Sequence, residues 1–209
     1  KMHTNQPYVY NIDLKDFFTS IPQPRVWKRL QLPPFNFQQP VVNAIAGLCC
    51  IKLHSSAKNG RFGTQYVLPQ GAPTSPLLSN AICDSLDKKL EGLAQRFHAT
   101  YTRYADDITF SCNYNIFSET DNFVIELNQL IEKQGFKINV TKTRLQTKAE
   151  RQEVTGLIVN KKINVSRKYV RSIRQLLYIW SKYGIFEAEK KYLEHIALDT
   201  KRNKKKTKN

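Results

Sequence analysis

The chain has 209 residues, 41% hydrophobic and 11% aromatic, enough for one fair-sized core or one domain with an appendage and too apolar for a disordered chain. Net charge is +16 and uneven: residues 161–209 carry 15 Lys+Arg against 4 acids, and residues 1–160 carry 18 against 13. No apolar run reaches the length of a membrane span, and a basic C-terminal part on a milder body points to contact with a polyanion such as nucleic acid.

The first residues, KMHTNQPYVY, lack the apolar run of a signal peptide. A strand-like segment begins almost at once, so the chain reads as a fragment or a processed piece. YVYNIDL (8–14) mixes β-branched and aromatic residues and predicts a buried strand. Phe17 to Pro24 turns through Ser20 and Pro22, and PRVWKRL opens a short helix. Residues 39–52 form an apolar run suited to a helix, and 55–66, with Gly60 and Gly63, read as a hairpin or loop. Leu78, Ile82, Leu86, Leu90 and Leu93 mark one face of a long helix over about 75–97.

Thr100–Tyr104 and Ile108–Cys112 then predict two strands around a tight turn that holds Asp106 and Asp107. A helix over 118–134 follows, with Gly135 as its C-terminal cap. Short strands are expected at 137–147 and 152–160, then helices at 166–181 and 186–198. The last nine residues, KRNKKKTKN, read as a disordered basic tail. The order gives an α+β fold, an antiparallel sheet packed by helices, followed by a small basic helical unit. Cys49, Cys50, Cys83 and Cys112 contain no C-x-x-C pair, which argues against a zinc site and for thiols kept in a reducing cytoplasm.

Asp13 closes the first strand, and strand pairing can bring it to Asp106 and Asp107. Clustered carboxylates repel and take up protons unless a cation compensates. Mg²⁺ prefers such oxygen ligands together with substrate phosphates. Two ions roughly 4 Å apart can stabilise both the attacking and the leaving oxygen of phosphoryl transfer.

These blocks resemble the motifs of a reverse transcriptase palm, in order. NIDLKDFFTSI is similar to the first palm motif, LPQGAPTSPLLSN to the motif before the long palm helix, and RYADDITFS to the tyrosine-x-aspartate-aspartate motif. GFKINVTKTRL and VTGLIV are similar to the lysine-containing and primer-side motifs that follow. QGAPTSP and RYADD suit both retron and group II intron enzymes; Val154-Thr155-Gly156 matches the VTG triplet of retrons, and His3 matches the last letter of their N-A-x-x-H motif. The resemblance is therefore to bacterial retron-type reverse transcriptases.

The resemblance implies a polymerase right-hand palm over 1–160, a short helical thumb-like segment over 161–200 and a tail over 201–209. It implies Asp13 and Asp106 as principal ligands of two Mg²⁺ ions (Mn²⁺ a possible substitute), the Leu14 carbonyl as a backbone ligand, and Asp107 completing the catalytic acidic cluster. The residues alone do not rank the two adjacent aspartates. Asp16 is left outside the site. Phe18, five residues after Asp13, takes the position of the aromatic steric gate under the sugar, which favours deoxynucleotides. Gln70 and Gly71 fall at the incoming nucleotide, where Gly71 allows close backbone approach. Lys142 falls near the triphosphate or leaving pyrophosphate. Tyr104 and Ala105 fall at the primer end, and Gly156 and Leu157 in the primer grip. Arg167, Lys168, Arg171 and Arg174 offer phosphate contacts to a template–primer duplex or structured RNA; Arg167, Arg171 and Arg174 share a helix face.

The implied activity is RNA-directed DNA synthesis from dNTPs, priming from a 2′-hydroxyl of a cognate structured RNA to give branched RNA–DNA. Implied partners are that non-coding RNA, an RNA–DNA duplex and an effector protein, with no membrane. The N-terminal fingers of the family are expected to be missing from the chain. Competing readings are a group II intron-type enzyme, a viral-type RNA-directed RNA polymerase, and a non-catalytic RNA-binding defence module on a polymerase fold. Phe18 and YADD disfavour the viral enzyme, and the three aspartates disfavour the non-catalytic module.

Overall fold

The computed structural model describes residues 1–55 and 63–206. They form two compact units: Lys1–Thr155 with Val159–Lys162, and Gly156–Ile158 with residues from Ile163 onward.

The first unit is built on an antiparallel sheet of four strands, β1 (Tyr8–Asp13), β4 (Thr100–Tyr104), β5 (Asp107–Cys112) and β6 (Arg144–Thr147), in the order β4-β5-β1-β6. β1 lies against β5 in register from Tyr8↔Cys112 to Asp13↔Asp107. Side chains alternate across a strand, so this register sorts the residues into two faces. Ile12, Ile108, Phe110 and Cys112 are buried on one face, in the main core with Tyr8 and Tyr10 packed beside them. The opposite face carries Val9, Asn11 and Asp13 beside Ser111, Thr109 and Asp107.

The apolar face is covered by α3 (Ser75–Arg96) and α4 (Asn122–Lys133). α3 buries the predicted stripe Leu78, Ile82, Leu86, Leu90 and Leu93. Phe123 of α4 meets Phe97, Phe110 and Phe117 edge-on, with centroids 5.4, 5.1 and 5.3 Å away. Edge-to-face rings add to the stabilisation from burial, so this cluster locks α4 to the sheet. α1 (Gln23–Gln31) and α2 (Gln39–Cys49) complete the core through Val26, Leu30, Val42 and Ala46.

Several boundaries differ from the sequence expectations. α2 ends at Cys49, and Ile51 starts β2 (Ile51–Ser55), which pairs with β3 (Gly63–Val67). The expected hairpin over 55–66 thus has its two strands here, while residues 56–62 lie outside the described residues. α4 starts at Asn122 because Ser118–Asp121 folds into a turn: the Ser118 N–H donates to the Asp121 carboxylate (2.9 Å), and the Asp121 N–H donates to the Ser118 carbonyl (2.9 Å). Gly135 does follow the helix in the left-handed region (φ 76°), with its N–H on the Glu132 carbonyl at 2.8 Å. Of the strand expected over 137–147, only β6 and a single bridge Leu14↔Ile138 form, because the Asn139 carbonyl turns the chain by accepting the N–H groups of Lys142 and Thr143. In the 152–160 stretch the strands are short, β7 (Glu153–Val154) and β8 (Leu157–Ile158).

The four cysteines are free, and burial pushes the Cys50 and Cys83 thiols up to about 11. Among the described residues no helix is long and apolar enough to cross a membrane.

The second unit holds α5 (Arg167–Tyr183) and α6 (Ile185–Lys206), joined at Gly184, whose φ of 88° breaks the helix. The Ser166 hydroxyl accepts the Tyr169 N–H and caps α5. α5 buries no residue and exposes Tyr169, Ile173, Leu177 and Trp180 beside its arginines. Helical backbone continues to Lys206, past the expected end at 198 and into the expected disordered tail; residues 207–209 lie outside the described residues. Lys and Arg are good helix formers, so a basic run continues a helix already nucleated upstream.

Candidate active site on the polar face of the sheet

The two central strands end together. Asp13, last in β1, stands opposite Asp107, first in β5. Ala105 and Asp106 form the two-residue turn between β4 and β5, with Ala105 in the left-handed region (φ 53°). The Leu14 N–H donates to the Asp106 carbonyl at 3.0 Å, which binds the turn to the end of β1. Asp13, Asp106 and Asp107 are thus gathered at one end of the sheet, each half-buried.

This end is electrostatically costly. The Asp107 carboxyl is held above its ordinary pKa of 3.8, first by burial and then by the Asp106 and Asp13 charges; Arg144 and a hydrogen bond from Asn11 act in the opposite direction. Lys142 places its ammonium 3.1 Å from Asp13 Oδ2, and Asn139 donates from Nδ2 to Asp13 Oδ1 at 3.2 Å. The turn over 137–143 therefore delivers one cation and one amide to the first aspartate. Asn139, unlike Lys142, is not among the residues predicted from the motif, though it lies in the same NVTKT stretch.

Among the described residues no three His, Cys, Asp or Glu side chains form a preformed metal centre. Carboxylate oxygens of Asp13, Asp106 and Asp107 are nevertheless the hard donors that Mg²⁺ takes, and their mutual repulsion is what a divalent cation relieves. The donor set fits Mg²⁺ by its chemistry, with Lys142 carrying the positive charge nearest Asp13. A groove of about 930 Å³ between α4 and β6, floored by Tyr10, Phe117 and Leu145, does not include the aspartates.

Behind the carboxylates the polar face is cross-linked. Asn11 donates to Thr109 Oγ1 (3.0 Å) and accepts from Gln146 Nε2 (2.6 Å), and Gln146 Oε1 accepts the Glu153 N–H (2.5 Å). His3 is buried with Nδ1 2.7 Å from Ser111 Oγ and Nε2 2.8 Å from Thr102 Oγ1. Burial lowers its pKa to about 4, so the ring is neutral at pH 7. Asn11, Thr109, Gln146, His3 and Ser111 are each buried with a hydrogen-bond partner, which makes a polar sheet face stable.

Tyr104 ends β4 opposite Asp107 and is 74% exposed. Phe18 is half-buried, edge-on to Phe17 at 5.1 Å, so part of its ring serves the core. Gln70 and Gly71 are exposed in the turn before α3; Gly71 has φ 90°, and among the described residues no atom beyond its chain neighbours lies within 4 Å of where its Cβ would stand. Backbone conformation, and no crowding by protein, is what requires glycine there. Asp16 is an exposed turn residue at φ 49° whose carbonyl accepts the Ser20 N–H. Gly156 (φ 83°) and Leu157 belong to the second unit, as do Arg167, Lys168, Arg171 and Arg174, which are all exposed on α5.

A family model described as reverse transcriptase (RNA-dependent DNA polymerase) matches residues 1–161. The chain is 35% identical over 198 residues to the retron Mx65 reverse transcriptase of Myxococcus xanthus, covering 92% of this chain and 45% of that protein. It is 34% identical over 197 residues to the retron Mx162 reverse transcriptase of the same organism (84% and 40%), and 30% identical over 199 residues to the retron Ec86 reverse transcriptase of Escherichia coli (93% and 54%). The chain spans about half the length of these curated relatives. Its fold is similar to that of apo telomerase from Candida tropicalis truncated from the C-terminal domain, with a TM-score of 0.51 at 12% identity over 76% of this chain and 35% of that one. The ordered motifs, the shared fold and the matched family model lead to one conclusion: the chain belongs to the reverse transcriptase (RNA-dependent DNA polymerase) family and is homologous to its retron members.

Proposed function

We propose that the chain carries the palm of a retron-type RNA-directed DNA polymerase that extends a primer on a structured RNA to make branched RNA–DNA. The observation that carries this reading is the Asp13↔Asp107 register, with Asp106 in the adjoining turn and Lys142 on Asp13. In this reading residues 1–160 are the palm and 161–200 a thumb-like segment.

Asp13, Asp106 and Asp107, with the Leu14 carbonyl, would hold two divalent ions, Mg²⁺ or Mn²⁺. When bound, these ions supply Lewis acidity toward the attacking hydroxyl and the departing pyrophosphate. The primer hydroxyl attacks the α-phosphorus of a dNTP, and the bond to pyrophosphate breaks. Lys142 stands 3.1 Å from Asp13 and on an exposed turn, within reach of a triphosphate that enters over the carboxylates. Gln70 and Gly71 line the nucleotide side, where the Gln70 amide can both donate and accept. The exposed part of the Phe18 ring lies against the sugar and excludes a 2′-hydroxyl. Tyr104 and Ala105 support the primer end, and Gly156 and Leu157 grip the primer. Arg167, Lys168, Arg171 and Arg174 meet phosphates of the duplex or of the cognate RNA.

Matches to retron enzymes favour this type over a group II intron enzyme. Co-expression of the open reading frame with its flanking RNA is the test. Branched RNA–DNA that disappears in an Asp106→Ala/Asp107→Ala variant is the expected result. Unbranched DNA would assign another reverse transcriptase type, and RNA binding without any synthesis would assign a binding module.

A further inference from the structure

Arg103 is the one charged residue of β4, and it lies on the core face of the sheet, opposite Ile108. Its side chain is only 5% exposed. A guanidinium there must have its donors filled. Nε donates to Asp87 Oδ1 at 2.7 Å and Nη2 to Asp87 Oδ2 at 2.6 Å, a two-point fork onto α3. Nη1 donates to Asn80 Oδ1 at 3.1 Å, on the same helix two turns earlier, and to the Ala105 carbonyl at 3.0 Å. Tyr101 OH also donates to Asp87 Oδ1, at 2.7 Å.

The Ala105 contact gives the arrangement a role beyond packing. Ala105 is a non-glycine residue at φ 53°, a conformation that needs support from its surroundings. Both carbonyls of the turn are held: Ala105 by Arg103, and Asp106 by the Leu14 N–H at 3.0 Å. We propose that Arg103 is a positioning residue that clamps the Ala105–Asp106 turn to α3 and so sets where the Asp106 and Asp107 carboxylates point. The two-point fork onto Asp87 holds the guanidinium in the orientation this requires. α3 begins just after Gln70 and Gly71, so the same helix that follows the nucleotide-side turn braces the carboxylates. Burial works against the Arg103 charge, but the bonds to Asp87 keep its pKa above the ordinary value.

The catalytic consequence rests on the polymerase reading; the clamp itself does not. Arg103→Lys keeps the charge but loses the planar fork, so one ammonium cannot serve Asp87 and the Ala105 carbonyl together. Asp87→Asn is a second, nearly isosteric variant, and Asn80→Ala removes a single contact. Hydrogen exchange of a peptide covering residues 104–108, measured without ligands, reports the clamp. RNA-templated dNTP incorporation reports its consequence as kcat against KM. In Arg103→Lys and Asp87→Asn the turn exchanges faster than in the parent, kcat falls on the order of tenfold to a hundredfold, and KM for dNTP stays within about twofold. Asn80→Ala stays close to the parent in both. Unchanged turn exchange in Arg103→Lys overturns the clamp, and a kcat loss no larger than the loss of folded fraction overturns the positioning role. If the parent protein makes no DNA, the polymerase reading fails, and the exchange comparison still decides whether Arg103 holds the turn.

Discussion

Replacing His3 by alanine tests whether the polar face is held by a neutral, buried imidazole. His3 is 4% exposed and lies between two hydroxyls, at 2.7 Å from Ser111 and 2.8 Å from Thr102. A neutral ring offers one donor and one acceptor, and rotating hydroxyls can match both. A protonated ring would carry a buried charge, and its pKa is accordingly lowered from 6.5 to about 4. The folded value lies below the unfolded one, so the stabilisation is complete above about pH 6.5 and is lost as pH falls toward 4. Between pH 7.5 and 4.5 that linkage is on the order of 2 to 3 kcal/mol. Alanine removes both hydrogen bonds and strands two hydroxyls, at a cost of about 2 kcal/mol at neutral pH. Urea denaturation of both proteins at pH 7.5 and 4.5 gives the comparison, in which other titrating carboxylates cancel. The wild type is predicted to be more stable at pH 7.5, with the gap closing to nearly nothing at pH 4.5. A gap that stays the same at both pH values would show that His3 does not stabilise the fold as a neutral, buried imidazole.

Asp107→Asn removes a carboxylate that the fold holds above its ordinary pKa, chiefly by burial. Stability linked to such a group is present below pH 3.8 and lost as pH rises through the raised folded value. In chelator at pH 7.5 the variant should therefore melt higher, with up to about 1 kcal/mol from relieving the like-charge pair with Asp13 alone, and converge with wild type below pH 4; a lower midpoint at pH 7.5 contradicts this. Lys142→Ala breaks an ion pair whose lysine is 63% exposed, so urea stability should change by less than about 1 kcal/mol. Single-turnover dNTP incorporation should nonetheless slow on the order of a hundredfold, and an unchanged rate would remove Lys142 from the site. Phe18→Ala should lower the ratio of kcat/KM for dNTP over rNTP, a ratio unaffected by the folded fraction; unchanged sugar discrimination in a competent enzyme would leave Phe18 a core residue only.

The sequence made the carboxylates legible because their spacing from apolar alternation is local. Asp13 ends a strand pattern and Asp106-Asp107 sits in a hairpin pattern, so strand pairing was enough to bring them together. The stripe from Leu78 to Leu93 and the C-terminal glycine at 135 were legible for the same reason. Long-range polar contacts were not. Arg103 reads as a solvent-facing charge until its partner Asp87 on α3 is known, and the chain Glu153–Gln146–Asn11 depends on β6 joining β1. Asn139 belonged to a recognised stretch, but its bond to Asp13 follows from a turn where a strand was expected. Apolar run length also misled at 39–52, where Ile51 and Lys52 belong to a hairpin strand and not to the helix.

The central claim is that Asp13, Asp106 and Asp107 form a divalent-metal centre for nucleotidyl transfer. Mg²⁺-dependent incorporation of dNTPs on an RNA template, measured for the protein and for Asp13→Asn and Asp106→Asn, tests it most directly. Incorporation is expected to require Mg²⁺ and to be lost in both variants while each still melts cooperatively and still binds RNA. Incorporation that survives either substitution, or proceeds in chelator, would contradict it.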